Sequence, residues 1–597
     1  MQYLQLLEKK NETMNIMAHN YKNHIVTIGN MSDSPEIKKY INKMFGEITV
    51  YNQIAKTKNR LLDVILSKYI DICNDKNIKF EIDVMTDNLS FINSYDISSL
   101  FNNILDNAVE AASLSSGRYI HLEITASLNS YHKIIAINSC DNEPRSEKGK
   151  LITLKSYPGE TAKIDGTGMT IKGWFSALVQ LKSVQYMTFE NLHICNATNS
   201  DVNTDPEGVY INGVSRDITF RNCKVYNIKS TCLAGHNNGD WRSAHAFLVI
   251  GDDNGTPIRN LTIEKCEIYD MHTGTSETLT IAGNVDGFTI QDCEVHDVEN
   301  IGIIVAGGDN LNAGGNISVN YARNGVVRRN KVYRCSHQVS KDFWEGVYNN
   351  PAAYGAIGIY VCGGASTIIE QNIVWECDRA IGLVSESNVL ATKDCIVRNN
   401  FVYNNYRTGI YLGDYIGYTV GGTSGCYVVN NTLYHNNLVG GALNGSNNSE
   451  NINDEKDSEG EIRLAENCTN NTIMNNLIYA VTDRDIFVRK YTRSGSKNKI
   501  GYNLYYSPTS ANHKWFWDSV EYTNFSSWQK ASGDENSLYN VDPKLVSLDI
   551  SAPDLHLQSG SPAKNAGYFI AAYFVGSYDI DGNARYNGTN ISIGADQ

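Results

Sequence analysis

No stretch of 18 apolar residues occurs in this 597-residue chain, and its first twenty residues, MQYLQLLEKKNETMNIMAHN, lack an apolar core behind a basic start. Neither a membrane-spanning helix nor an export signal is therefore legible, and as written the chain reads as cytoplasmic, without membrane insertion. No Lys/Arg-rich block appears and the net charge is −14. That argues against nucleic acid or an anionic membrane as a partner. No CxxC pair occurs among the thirteen cysteines, so buried free thiols are expected rather than a disulfide framework. Proline is scarce, with ten residues against 48 glycines, and apolar residues make up 42%. The balance excludes disorder and fits many tight turns whose left-handed positions call for Gly or Asn.

What the chain does have is a repeat. ITFRNCKVYN, LTIEKCEIYD, FTIQDCEVHD, GVVRRNKVYR, TIIEQNIVWE, CIVRNNFVYN, CYVVNNTLYH and NTIMNNLIYA recur at intervals of 27 to 45 residues. Aligned, Cys223, Cys266, Cys293, Asn330, Asn372, Asn400, Asn431 and Asn476 form one column. Tyr226, Tyr269, His296, Tyr333, Trp375, Tyr403, Tyr434 and Tyr479 form another. A short strand repeated in this way buries its core by stacking unit on unit, as a solenoid does. A second strand family (GVYINGV, AFLVIGD, TLTIAGN, GIIVAGG, GIYVCGG, GLVSESN, GIYLGDY) puts Val209, Ile211, Ile303, Val305, Ile359, Val361, Ile410 and Leu412 inward by its period of two. At least two strands per coil imply a parallel β-helix, with the Asn column bonding amide to amide along the axis.

The first 146 residues follow another pattern. Apolar residues spaced three and four apart suggest a helical hairpin over residues 1–70, followed by an α+β segment over 71–146: KFEIDV, a helix through ISSLFNNILDNAVEAAS, then YIHLEITAS and HKIIAIN. AHNYKNH and, about 80 residues on, NNILDNAVEAA resemble the dimerisation and ATP-binding parts of sensor histidine kinases of the GHKL superfamily. The resemblance implies His19 as phospho-acceptor, Asn103 and Asn107 as amides holding Mg²⁺ on ATP, and dimerising N-terminal helices. After Asn138 the kinase pattern breaks off in SCDNEPRSEKGKLITLK, and Asn20 stands where an acid commonly follows the phospho-acceptor. A working kinase is not expected. The solenoid lacks its first coil at the same place, which reads as a composite origin.

From LITLKSYPGETAKIDG to DLHLQSGSPAKNAG and DIDGNAR, the chain resembles right-handed parallel β-helix proteins of the pectate-lyase-like, carbohydrate-active kind. The expected fold is thus mainly β: a right-handed parallel β-helix of about ten coils over 147–570, a C-terminal tail over 571–597 packing on it, and a smaller N-terminal α+β segment. The resemblance implies an acidic polysaccharide as partner and either β-elimination or hydrolysis, with noncatalytic glycan binding or an inactive kinase fragment fused to a β-helix as the alternatives. Such relatives are usually secreted, and Ca²⁺ is the cofactor a uronate lyase would take. Glu277 and Arg323, poor turn formers, are the first choices for an acid or metal ligand and for a base respectively, with Asp286 beside them. Tyr210, Tyr360 and Tyr411 on the outward face, with Asn284, Trp241 and His245, are expected to line the glycan site, and Asp252, Asp253 and Asp309 to offer oxygens to a metal. NTD at Asn203–Asp205 resembles a polygalacturonase motif but lacks the following DD pair, and is set aside.

Overall fold

The computed structural model describes residues 59–84, 94–126, 132–138 and 151–597, the last stretch without 158, 170, 202, 233–241, 309–315, 349–353, 416, 440–458, 483–484 and 491. Apart from residues 129–131, the chain divides into two compact units at residue 150.

In the first unit, the helix Arg60–Asp75 starts where Asn59 Oδ1 accepts the Leu62 N–H at 3.1 Å, an N-cap that fills one of the helix's orphan donors. Its three-and-four spacing buries Leu62, Ile65, Leu66, Tyr69 and Cys73 against Ile97, Phe101, Leu105, Ala108 and Ala112 of the helix Ser94–Leu114. Strands Lys79–Val84, Tyr119–Ala126 and His132–Asn138 pair in that order, parallel then antiparallel. Much of the expected hairpin lies outside the described residues. Its visible helix runs five residues past the boundary drawn at 70 and shares one core with the α+β segment.

Three long sheets, of eleven, twelve and twelve strands among the described residues, make up the second unit, parallel throughout except where Trp515–Trp517 and Val520–Tyr522 pair antiparallel at the end of one. They begin with Ile152–Lys155, Ala162–Asp165 and Ser176–Lys182 and are called here the first, second and third sheets. Eleven rungs add one strand to each, so the solenoid is somewhat longer than the ten coils expected. Val209, Ile211, Ile303, Val305, Ile359, Val361, Ile410 and Leu412 all point inward and are fully buried.

The columns explain the stacking. Asn372, Asn400, Asn431, Asn476 and Asn503 accept in turn from the amide of the preceding rung, at 3.0, 3.0, 2.9, 3.0 and 3.1 Å. The residue before the column is left-handed in every rung from Asn191 to Tyr502, including Lys265, Arg329 and Gln371. Asn adopts that conformation more readily than other residues that carry a Cβ, which accounts for its abundance; the rung imposes it on the others. Tyr226, Tyr269, His296, Tyr333, Trp375 and Tyr403 stack along the second sheet with centroids 4.2 to 5.9 Å apart. The described cysteines are buried, and none is disulfide-bonded to another described cysteine. C-terminal residues lie on the solenoid, Phe574 stacking on Tyr427 at 3.8 Å and Asn399 Nδ2 donating to the Val575 carbonyl at 2.9 Å. No described helix is long and apolar enough to cross a membrane.

Candidate functional site

Strands Pro206–Asn212, His245–Gly251 and Glu277–Gly283 are neighbours in the third sheet. Their register pairs His245 with Glu207 and Phe247 with Leu279, so Glu207, His245 and Glu277 fall in one row at the strands' leading edge. Asp205, two residues before Glu207, belongs to the same side. Gly208 follows Glu207, and a Cβ there would stand 2.6 Å from the Ala246 carbonyl oxygen. Only glycine allows the two strand starts to come this close. Beside the row, Arg242 is locked to Glu299 at 2.9 Å from both carboxylate oxygens and lies 3.9 Å over the Phe343 ring.

His245 Nδ1 stands 3.0 Å from Glu207 Oε1 and 3.5 Å from Asp205 Oδ1, and its Nε2 is 3.7 Å from Glu277 Oε2. Asp205, Glu207 and His245 are buried, whereas 24% of the Glu277 side chain is exposed. Burial alone would lower the pKa of His245, but the charges of Glu207 and Asp205 reverse this and hold it well above the usual imidazole value. Burial, and then the charge of Asp205, push the Glu207 carboxyl well above its usual range against the opposing pull of His245. Four ionisable groups thus sit in one cluster, and one of them, Glu277, reaches solvent.

Of the expected site residues, the structure brings together Glu277 and His245, and separately Arg323, Asn284 and Asp286. Arg323 Nη2 donates to Asn284 Oδ1 at 3.1 Å and lies 3.4 Å from Asp286 Oδ2. This second group follows the far end of the strand that Glu277 opens, roughly 20 Å away at about 3.3 Å per residue. Glu277 and Arg323 therefore do not work as acid and base on one sugar, and Arg323 is a bridge between turns. His245 is the first residue of a strand and 4% exposed, so it supports the site rather than walling a groove.

The tyrosines are not open stacking platforms either. Tyr210, Tyr360 and Tyr411 are 7, 1 and 4% exposed. Tyr210 lies under Phe175 at 5.4 Å, and the Tyr360 hydroxyl donates to Glu386 at 2.9 Å. Gly382 completes their row; a Cβ there would fall 2.6 to 2.8 Å from both flanking rings, so its absence lets Tyr360 and Tyr411 stack at 6.2 Å. Asp252 accepts from Asn212 Nδ2 at 3.1 Å and the Gly213 N–H at 2.8 Å, and Asp253 accepts from the N–H groups of Gly255 and Thr256 in its own turn. Both serve turns. Asn103 and Asn107 lie one turn apart on Ser94–Leu114; His19, Trp241 and Asp309 lie outside the described residues.

Sequence reading missed Glu207 and set Asp205 aside. A signal was available: aligning EGVYIN, HAFLVIG and ETLTIAG on their inward residues puts Glu207, His245 and Glu277 in one column.

Residues 160–415 match the family described as "Right handed beta helix region", and residues 92–172 match the GHKL domain. YwoF of Bacillus subtilis (strain 168) is 29% identical over 436 residues, covering 73% of this chain and 83% of that protein. Distant likenesses among solved structures include the pectate lyase Pel9A, with a TM-score of 0.39, 12% identity, and coverage of 74% of this chain and 87% of that one. Another is the A-module of the mannuronan C-5 epimerase AlgE6 of Azotobacter vinelandii, with a TM-score of 0.30, 10% identity, and coverage of 66 and 88%. Three stacked parallel sheets and the two family matches make this chain a right-handed parallel β-helix protein whose solenoid is preceded by a GHKL-like segment.

Proposed function

We propose that the β-helix cleaves an acidic polysaccharide by β-elimination at a uronate, with Glu277 as the base. One observation carries the reading: a partly exposed carboxylate stands 3.7 Å from a buried imidazole on the outer side of the third sheet, and it is the member of its cluster that reaches solvent. β-Elimination needs one such base. Glu277 takes the proton from the carbon α to the uronate carboxylate, the electron pair forms the carbon–carbon double bond, and the bond from the β carbon to the glycosidic oxygen breaks. That oxygen leaves as a hydroxyl with a proton taken from water. Hydrolysis needs instead two carboxylates reaching the sugar, about 5 to 9.5 Å apart, and Asp205 and Glu207 are 1 and 0% exposed. His245 positions Glu277 and does not touch the substrate.

Incubation with pectin, alginate, glucuronan and glycosaminoglycans tests this. The expected product carries an unsaturated uronate that absorbs in the ultraviolet. New reducing ends without unsaturation would replace the lyase reading by a hydrolase, and glycan retention with neither product would make the β-helix a binding module.

A further inference from the structure

Behind Glu277 two buried carboxyl groups face one imidazole. The facing ligand atoms of Asp205, Glu207 and His245 all lie within 4.8 Å of one another, and the three residues are 1, 0 and 4% exposed. Two carboxylate oxygens there, Asp205 Oδ1 and Glu207 Oε2, are buried and make no hydrogen bond. Leaving a buried carboxylate oxygen unpaired is costly. His245 Nδ1 stands 3.5 Å from the unpaired Asp205 Oδ1 and 3.0 Å from Oε1, the other oxygen of the Glu207 carboxylate. Donors held about 2.0 to 2.2 Å from a common cation are separated by about this much. The other ring nitrogen points at the Glu277 carboxylate, the outer partner that a metal-bound imidazole ordinarily has.

We propose that Asp205, Glu207 and His245 bind a first-row divalent cation, Zn²⁺ or Mn²⁺. One imidazole nitrogen and two carboxylates suit these ions; Ca²⁺ asks for six to eight oxygens, which this buried set does not supply. The cation neutralises the carboxylates, fixes His245 as the neutral tautomer with its proton on Nε2, and so aims that proton at Glu277. The inference does not depend on the lyase reading, because metal binding is measured without substrate.

The full chain, stripped with EDTA and equilibrated separately with Zn²⁺, Mn²⁺ and Ca²⁺, is dialysed and its metal content measured. About one equivalent of Zn²⁺ or Mn²⁺ is expected to remain, with a melting temperature raised by the retained ion and no retention of Ca²⁺. Asp205→Asn and Glu207→Gln should lower retention at least tenfold, and Asp252→Asn should not. If either cluster variant fails to fold, anomalous diffraction from the wild-type protein at the metal edge locates the ion. Retention of neither Zn²⁺ nor Mn²⁺ by folded wild-type protein, retention of Ca²⁺ alone, undiminished retention by both cluster variants, or an ion located elsewhere overturns the proposal.

Discussion

At the scale of single residues, exposure separates Glu277 from its neighbours. Glu277→Gln keeps the size of the side chain and removes its basicity, and is expected to lower the rate of elimination by about 10²- to 10⁴-fold with the melting temperature nearly unchanged. Arg323→Ala should behave in the opposite way. It strips the donor from Asn284 Oδ1 on a residue 1% exposed, costing about 1 to 3 kcal/mol in chemical unfolding, and leaves the rate almost as it was. Glu277 was legible in the sequence because a glutamate ahead of an apolar strand does no turn chemistry. Glu207 was not, because its partners lie 38 residues on, at His245, and then a further 32, at Glu277. Loops of unequal length hide that register until the rungs are stacked.

Among the repeating elements, the Asn column is the strongest local commitment of the fold. Asn400 donates to Ile369 O and Asn431 Oδ1 and accepts from the backbone and side-chain N–H groups of Asn372, all at 2.8 to 3.0 Å and all buried. Asn400→Ala orphans several of these groups at once and is expected to cost about 3 kcal/mol or more, read as a lower unfolding midpoint. The columns and the inward residues could be read directly from the sequence, since a period of two and a repeated turn leave visible marks. The covering of the outer face could not. Tyr210, Tyr360 and Tyr411 face outward as their period requires, yet what lies over them depends on non-repeating segments.

For the molecule as a whole, buried carboxyls set a dependence of stability on pH. Asp378, fully buried, has its pKa raised to about 6 by burial, although Ser336 Oγ, the His337 and Ala356 N–H groups and Arg407 act the other way. In the unfolded chain the group titrates near pH 4. The folded state therefore binds more protons between these values, and the stability that Asp378 contributes is complete below about pH 4 and lost as pH rises to about 6. Relative to Asp378→Asn, the wild-type protein should lose about 2 to 3 kcal/mol across that window, measured by unfolding at both ends. The sequence also marked where the solenoid begins, because the kinase-like pattern breaks off after Asn138 and SYPGETAKIDG opens the repeating strands.

The central claim is that a single exposed carboxylate, Glu277, performs the proton abstraction. It is tested most directly by following the appearance of unsaturated uronate from each acidic polysaccharide with the wild-type protein, Glu277→Gln and Arg323→Ala side by side. The account predicts product from at least one uronate with the wild-type and Arg323→Ala proteins and almost none with Glu277→Gln. No unsaturated product from any of them, or an undiminished rate with Glu277→Gln, would contradict it.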